Sequence, residues 1–195
     1  EQAQLASRGF DGSSSLTPLG AAAGAAWMLG LDEKRTAEAL CIAALDAGTL
    51  RAVRQGRLSD WKAIASARGA MKAVFAARMV EAGCHSPEKV FEGKEGFCEK
   101  ISGPLSISAE GGARLPRTLL KKYPVQRLIE LAQQLRADTS AAEIVSIKVG
   151  MSRQAVEMLG GARAGKAKIN RETADHTPGF AIGAVLLKGR LSHQD

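Results

Sequence analysis

Few residues here join a reactive group to a position that calls for one, and Lys62 is the first of them. It stands in "GRLSDWKAIASARGAMKAVFAARMVEAG", just after Ser59 and Asp60, short polar acceptors of the kind that begin helices. The first turn of a helix carries partial positive charge, so an ammonium there works against the helix field. Two readings stay open: a solvated surface lysine, or a lysine and a helix end that face one anion together.

Other candidates are short polar groups and cations. Lys121 and Lys122 sit in "LKKYPVQ", ahead of a proline that disfavours helical backbone at Tyr123. A lysine gives a compact charge with three donors, suited to the carboxylates of a small polyacid. Asp11, Ser13, Ser14 and Ser15 in "RGFDGSSSLTP" precede a helix and place acceptors near its N–H groups. His176 follows Asp175, which can orient an imidazole for acid or base work; a structural histidine is the plainer alternative. Arg68, further along the lysine helix, joins Ser13, Ser14, Lys122 and His176 as a substrate-binding candidate.

Several chemistries lack support. There is no GxxxxGK[ST] loop, no GxGxxG between strand and helix, and no GxSxG elbow. The histidines 85, 176 and 193 are not at metal spacings, so neither metal nor cofactor is expected. Three cysteines, an odd number without CxxC spacing, point to free thiols in a reducing, cytoplasmic setting. No apolar run reaches the ~18 residues a membrane span needs, and no secretory signal is visible. "EQAQLASRGF" begins without Met and reads as a piece of a longer polypeptide. The net charge of +7 fits solubility, a polyanionic substrate, an acidic surface or nucleic acid. Scarce aromatics (4%) and scattered basic residues make nucleic acid the weakest of these.

The elements that must position these groups are mostly helices. Thr17-Pro18 reads as the start of a helix that Gly30 ends, and Asp32 as the cap of a second through about Leu45. The lysine helix runs from Asp60 to about Ala82, and Ser86-Pro87 starts a short one ending near Gly93. Alanine-rich blocks such as "GAAAGAAWMLG" imply small side chains at helix contacts. On the lysine helix Ile64, Met71 and Phe75 share one face, read as a bulky core stripe. Lys62, Ser66, Gly69 and Ala73 share another, fit for tight packing or for close approach of a ligand.

The pattern changes near Pro104. A loop extends to about Pro116, then come a helix over Val125–Arg136, a strand in "EIVSIKVG" and a helix from Ser152. A basic stretch follows between Met158 and Arg171, read as a loop, and a last helix covers Pro178–Lys188. The expected fold class is mainly α: a helical domain (1–103), a small α/β lid domain (104–170) and a return to the helical domain (171–195).

Five segments together resemble the MmgE/PrpD family: "RGFDGSSSLTPLGAAAGAAWMLGLDEKRTAEALCIA", "TLRAVRQGRLSDWKAIASARGAMKAVFAARM", "FEGKEGF", "LKKYPVQ" and "RETADHTPGFAIGAVLLKG". They stand in that family's order, closest to its 2-methylcitrate dehydratase branch. That branch's "LRQ..R.GELS.WK" is matched by Leu50, Arg51, Arg54, Arg57, Leu58, Ser59, Trp61 and Lys62, and its "RETADH" by Arg171 to His176. Departures are Asp11 in "GFDG", where several relatives have His in "GFHP", and Gln126-Arg127 where the lid has a polar "H.Q". The resemblance implies a protein more than twice as long, with further amino-terminal helices ahead of this stretch.

The resemblance implies a homodimeric, metal-independent lyase of propionate catabolism, acting on small polycarboxylates between a helical domain and a lid. It makes Lys62 and Lys121 active-site lysines and favours Asp11 for the dehydratase over the decarboxylase branch. The reading is a hydro-lyase that converts 2-methylcitrate to 2-methylaconitate, with Lys62, Lys121 and Asp11 catalytic. The alternatives are another family activity (decarboxylase or epimerase) and a non-catalytic anion-binding protein with a divergent lid.

Overall fold

The structure is a computed structural model that describes residues 2–55, 58–106, 123–159 and 170–192. It divides into two units: Glu1–Gln55 with Asp60–Glu110, and Gly56–Ser59 with Gly111–Asp195. All regular elements among the described residues are helical, and the mainly-α expectation holds.

In the first unit, α1 (Gln2–Ser7) leads into α2 (Gly12–Met28), α3 (Glu33–Leu45) and α4 (Asp60–Glu81). Helix α2 starts earlier than Thr17-Pro18 suggests. Asp11 is its cap, accepting from the Ser14 N–H, and Pro18 lies inside the helix. A side-chain acceptor supplied at Asp11 outweighs the preference of Pro for a first turn. Asp32 caps α3 as expected, accepting from the Arg35 N–H.

Helices α2, α3 and α4 pack through alanine. Ala22, Ala43, Ala73 and Ala76 form one buried cluster. Ala26, Ala39, Ala77 and Val80 form the next. Small side chains bring the backbones close, and at Gly69 the approach is tight: a methyl built there would lie 3.0 Å from Pro18 Cγ. The stripe of Gly69 and Ala73 is thus a packing seam.

The opposite reading of α4 fails. Ile64, Met71 and Phe75, expected in the core, are 49%, 67% and 62% exposed. The small-residue face took the contact with α2 and α3, and one helix cannot turn both faces to the same neighbours. Residues 87–93 form turns rather than the expected short helix, with Lys89 at φ 55°. Past them a single π-helical turn, Cys98–Ser102, had no visible signal.

The second unit holds α5 (Gln126–Asp138), α6 (Arg153–Leu159), α7 (Arg171–Asp175) and α8 (Pro178–Lys188). Its core joins Val125, Ile129 and Ala132 to Ala181, Ile182, Val185 and Leu186. The Tyr123 hydroxyl donates to the Leu191 carbonyl at 2.7 Å, and the Arg136 guanidinium donates to the Leu186 carbonyl. Helix α8 packs against α5, and α7 packs against α8. The strand expected in "EIVSIKVG" has no ladder among the described residues. Val145 is 99% exposed, while Ile144 and Val149 pack on the α5–α8 core. Ile144 and Val149 are five residues apart, so the apolar residues that found partners are not those of one strand face.

Candidate active site

The elements around Asp11 are drawn together by a short antiparallel bridge between Phe10 and Leu50. The Asp11 N–H donates to the Thr49 carbonyl at 2.8 Å, and the Arg51 N–H donates to the Gly9 carbonyl at 2.7 Å. A 3-10 turn, Arg51–Arg54, then delivers Arg54 to the Asp11 carboxylate.

Asp11 is 3% exposed and both its oxygens are engaged. Oδ1 accepts from the Ser14 N–H at 3.0 Å, and Oδ2 accepts from Arg54 Nε–H. Burial pushes its pKa up, but the hydrogen bonds from Arg54 and Ser14 and the guanidinium charge outweigh that and hold it below the ordinary value. The group is therefore a carboxylate locked in an ion pair, a poor proton carrier and a good anchor.

The serines that follow diverge. Ser13 is exposed. Ser14 Oγ lies 3.3 Å from Ser66 Oγ on α4. Ser15 Oγ takes the Thr49 N–H at 3.1 Å. One continuous line of polar groups thus runs Arg54, Asp11, Ser14, Ser66, and Lys62 precedes Ser66 by one helical turn. Lys62 is half-buried in the first turn of α4. An ammonium on the same helix face as the Ser66 hydroxyl, one turn away, can hold carboxylates and stabilise negative charge.

Arg68 is on the same helix, with its guanidinium carbon 5.2 Å from the Trp61 ring centre, a cation–π contact. In the second unit, His176 Nδ1 lies 2.9 Å from the Glu172 carbonyl and 3.6 Å from Glu172 Oε1. Glu172, one turn back on α7, and not the adjacent Asp175, is the carboxylate that faces the imidazole. Helical geometry explains this, since residues four apart share a face and neighbours do not. Lys121, Lys122, His193 and the basic stretch 160–169 fall outside the described residues.

The residues missed by sequence reasoning are Arg54 and Ser66. Arg54 stood in the "LRAVRQGR" segment but without a role, because nothing local shows that it reaches Asp11, 43 positions earlier. Ser66 was visible on the Lys62 stripe, and its partner was not. No group of three or more metal-ligating side chains occurs among the described residues, and no described helix is long and apolar enough to cross a membrane.

The alanine-packed helices and this polar line coincide with a family match. The MmgE/PrpD N-terminal domain model matches residues 1–110. The chain belongs to the MmgE/PrpD family. All of α1–α4, with Asp11, Arg54, Lys62 and Ser66, lies inside the matched MmgE/PrpD region. Family membership points to a dehydratase-type enzyme.

Proposed function

We propose that this MmgE/PrpD chain is the site-bearing part of a hydro-lyase that dehydrates a small tricarboxylate, 2-methylcitrate in the first instance. The observation that carries the reading is the run of Arg54, Asp11, Ser14 and Ser66 beside a lysine in a helix's first turn. Loss of water from a 2-hydroxy tricarboxylate needs a base for the carbon-bound proton and an acid for the departing hydroxyl. It also needs cations for the substrate carboxylates and for the charge that develops as the proton leaves.

In this proposal Lys62 and Lys121 are the cations at the reacting end, with Ser13, Ser14, Arg68, Lys122 and His176 on the substrate's other polar groups. Asp11 serves the chemistry as a fixed carboxylate that holds Arg54 and the start of α2. Residues 104–170 act as a small α/β lid domain, residues 171–195 return to the helical domain, and the enzyme is a homodimer.

The test is ultraviolet absorbance of the conjugated acid formed from 2-methylcitrate, comparing wild type with Lys62→Ala. Turnover that is lost on substitution, with circular dichroism unchanged, supports the reading. Turnover equal in both returns Lys62 to the surface. A wild type that leaves 2-methylcitrate and citrate untouched but isomerises or decarboxylates another polyacid overturns the dehydratase assignment.

A further inference from the structure

Two motifs far apart in the sequence meet at one backbone residue. Leu58, which belongs to the second unit, is fully buried, and both its backbone polar groups are taken by side chains at the start of α7. Its N–H donates to Thr173 Oγ1 at 3.0 Å; its carbonyl accepts from Asn170 Nδ2 at 2.6 Å and from Thr173 Oγ1 at 3.3 Å. Asn170 also caps α7, its Oδ1 accepting from the Thr173 N–H at 3.0 Å. Thr173 is 1% exposed.

Leu58 lies two residues before α4 and four before Lys62. A helix's first turn frays unless the chain leading into it is held, and that hold is commonly a local contact between a residue just before the cap and the second turn. Here the hold is distant. We infer that Asn170 and Thr173 are positioning residues for Lys62, acting through the backbone of Leu58, on the function proposed above.

A hydroxyl that accepts from one backbone group and donates to another, beside an amide that donates to the same carbonyl, fixes both the rotation and the depth of Leu58. Only Ser59 then separates the clamp from the first residue of α4. Removing the clamp leaves Lys62 on a turn that opens and closes, so its ammonium spends less time where charge develops. Binding by the remaining cations is little changed, and the loss falls on kcat rather than KM.

Three variants of the full chain test this. Thr173→Val keeps the shape and deletes the hydroxyl; Thr173→Ser restores it. Asn170→Asp keeps an acceptor to cap α7 but removes the donor to Leu58. Amide hydrogen exchange is read over residues 58–66 and 178–188, and kcat and KM are measured with 2-methylcitrate. The expected result is exchange over 58–66 faster by at least about fivefold, the factor one ordinary hydrogen bond is worth. Exchange over 178–188 stays as in wild type, kcat falls with KM nearly constant, and Thr173→Ser recovers both readouts.

Unchanged exchange over 58–66 in Thr173→Val and Asn170→Asp overturns the clamp. Faster exchange with wild-type kcat and KM makes the contact structural only and overturns the positioning role. If the wild type turns over no polycarboxylate, the proposed function falls separately, and exchange alone then judges the clamp.

Discussion

Gly69 and Pro18 meet where α4 crosses α2, so closely that a methyl on Gly69 would lie 3.0 Å from Pro18 Cγ and 3.3 Å from Cδ. Pro18 has no N–H, so it cannot donate to the Ser14 carbonyl one turn earlier, and that carbonyl lies 3.5 Å from the same methyl position. The seam holds Ser14 beside Ser66, so packing and candidate site share one contact. A large side chain at 69 should therefore be costly: Gly69→Leu is expected to lose about 1–3 kcal/mol through overpacking. Gly24, with open space around its Cβ position in α2, should behave oppositely, Gly24→Ala gaining about 1 kcal/mol in helix propensity. Urea unfolding of the two variants distinguishes seam from surface.

Asp11 links stability to acid. Its native pKa is depressed below the ordinary 3.8, so its ion pair stabilises the fold fully above that value. The contribution fades as pH falls from there through the native pKa. Asp11→Asn should flatten this acid limb in urea midpoints taken between about pH 2.5 and 5. Asp11→Ala, which loses the cap and leaves Arg54 without its carboxylate, should cost about 2–4 kcal/mol at neutral pH.

Lys62 sets helix stability against chemistry. An acid in the first turn of α4 complements the helix field by about 0.3–1 kcal/mol, so Lys62→Glu should keep the fold while abolishing turnover of a polycarboxylate. A thermal melt beside the absorbance assay reads both. Activity retained in Lys62→Glu would remove the lysine from the site.

The exposed face of α4 gives a prediction about what does not matter to folding. Met71→Gln and Phe75→Gln remove apolar surface that is already in solvent, and each should shift stability by no more than about 0.5 kcal/mol. The same change at Val80, 1% exposed in the alanine core, should cost several times more.

The sequence by itself determined α3, α4, α5, α8 and the start of α6, and where α2 ends. Asp32, Gly30, Gly83 and Pro178 act through bonds and dihedrals local to a few residues, and local signals are legible in order. It also pointed to small side chains at the contacts of α2, whose alanine-rich block "GAAAGAAWMLG" offers little else to pack. It placed Lys62 in a first turn. The tertiary structure alone decided which face of α4 turned inward, since Ile64–Phe75 and Ser66–Ala73 are both plausible seams until α2 and α3 arrive. It alone decided that Asp11 would be an anchored carboxylate, because the pairing with Arg54 spans 43 positions. And it alone brought Asn170 and Thr173 to Leu58, 112 and 115 positions away. Hydrogen bonds of that range depend on how the chain returns upon itself, and neither periodicity nor capping rules carry that information.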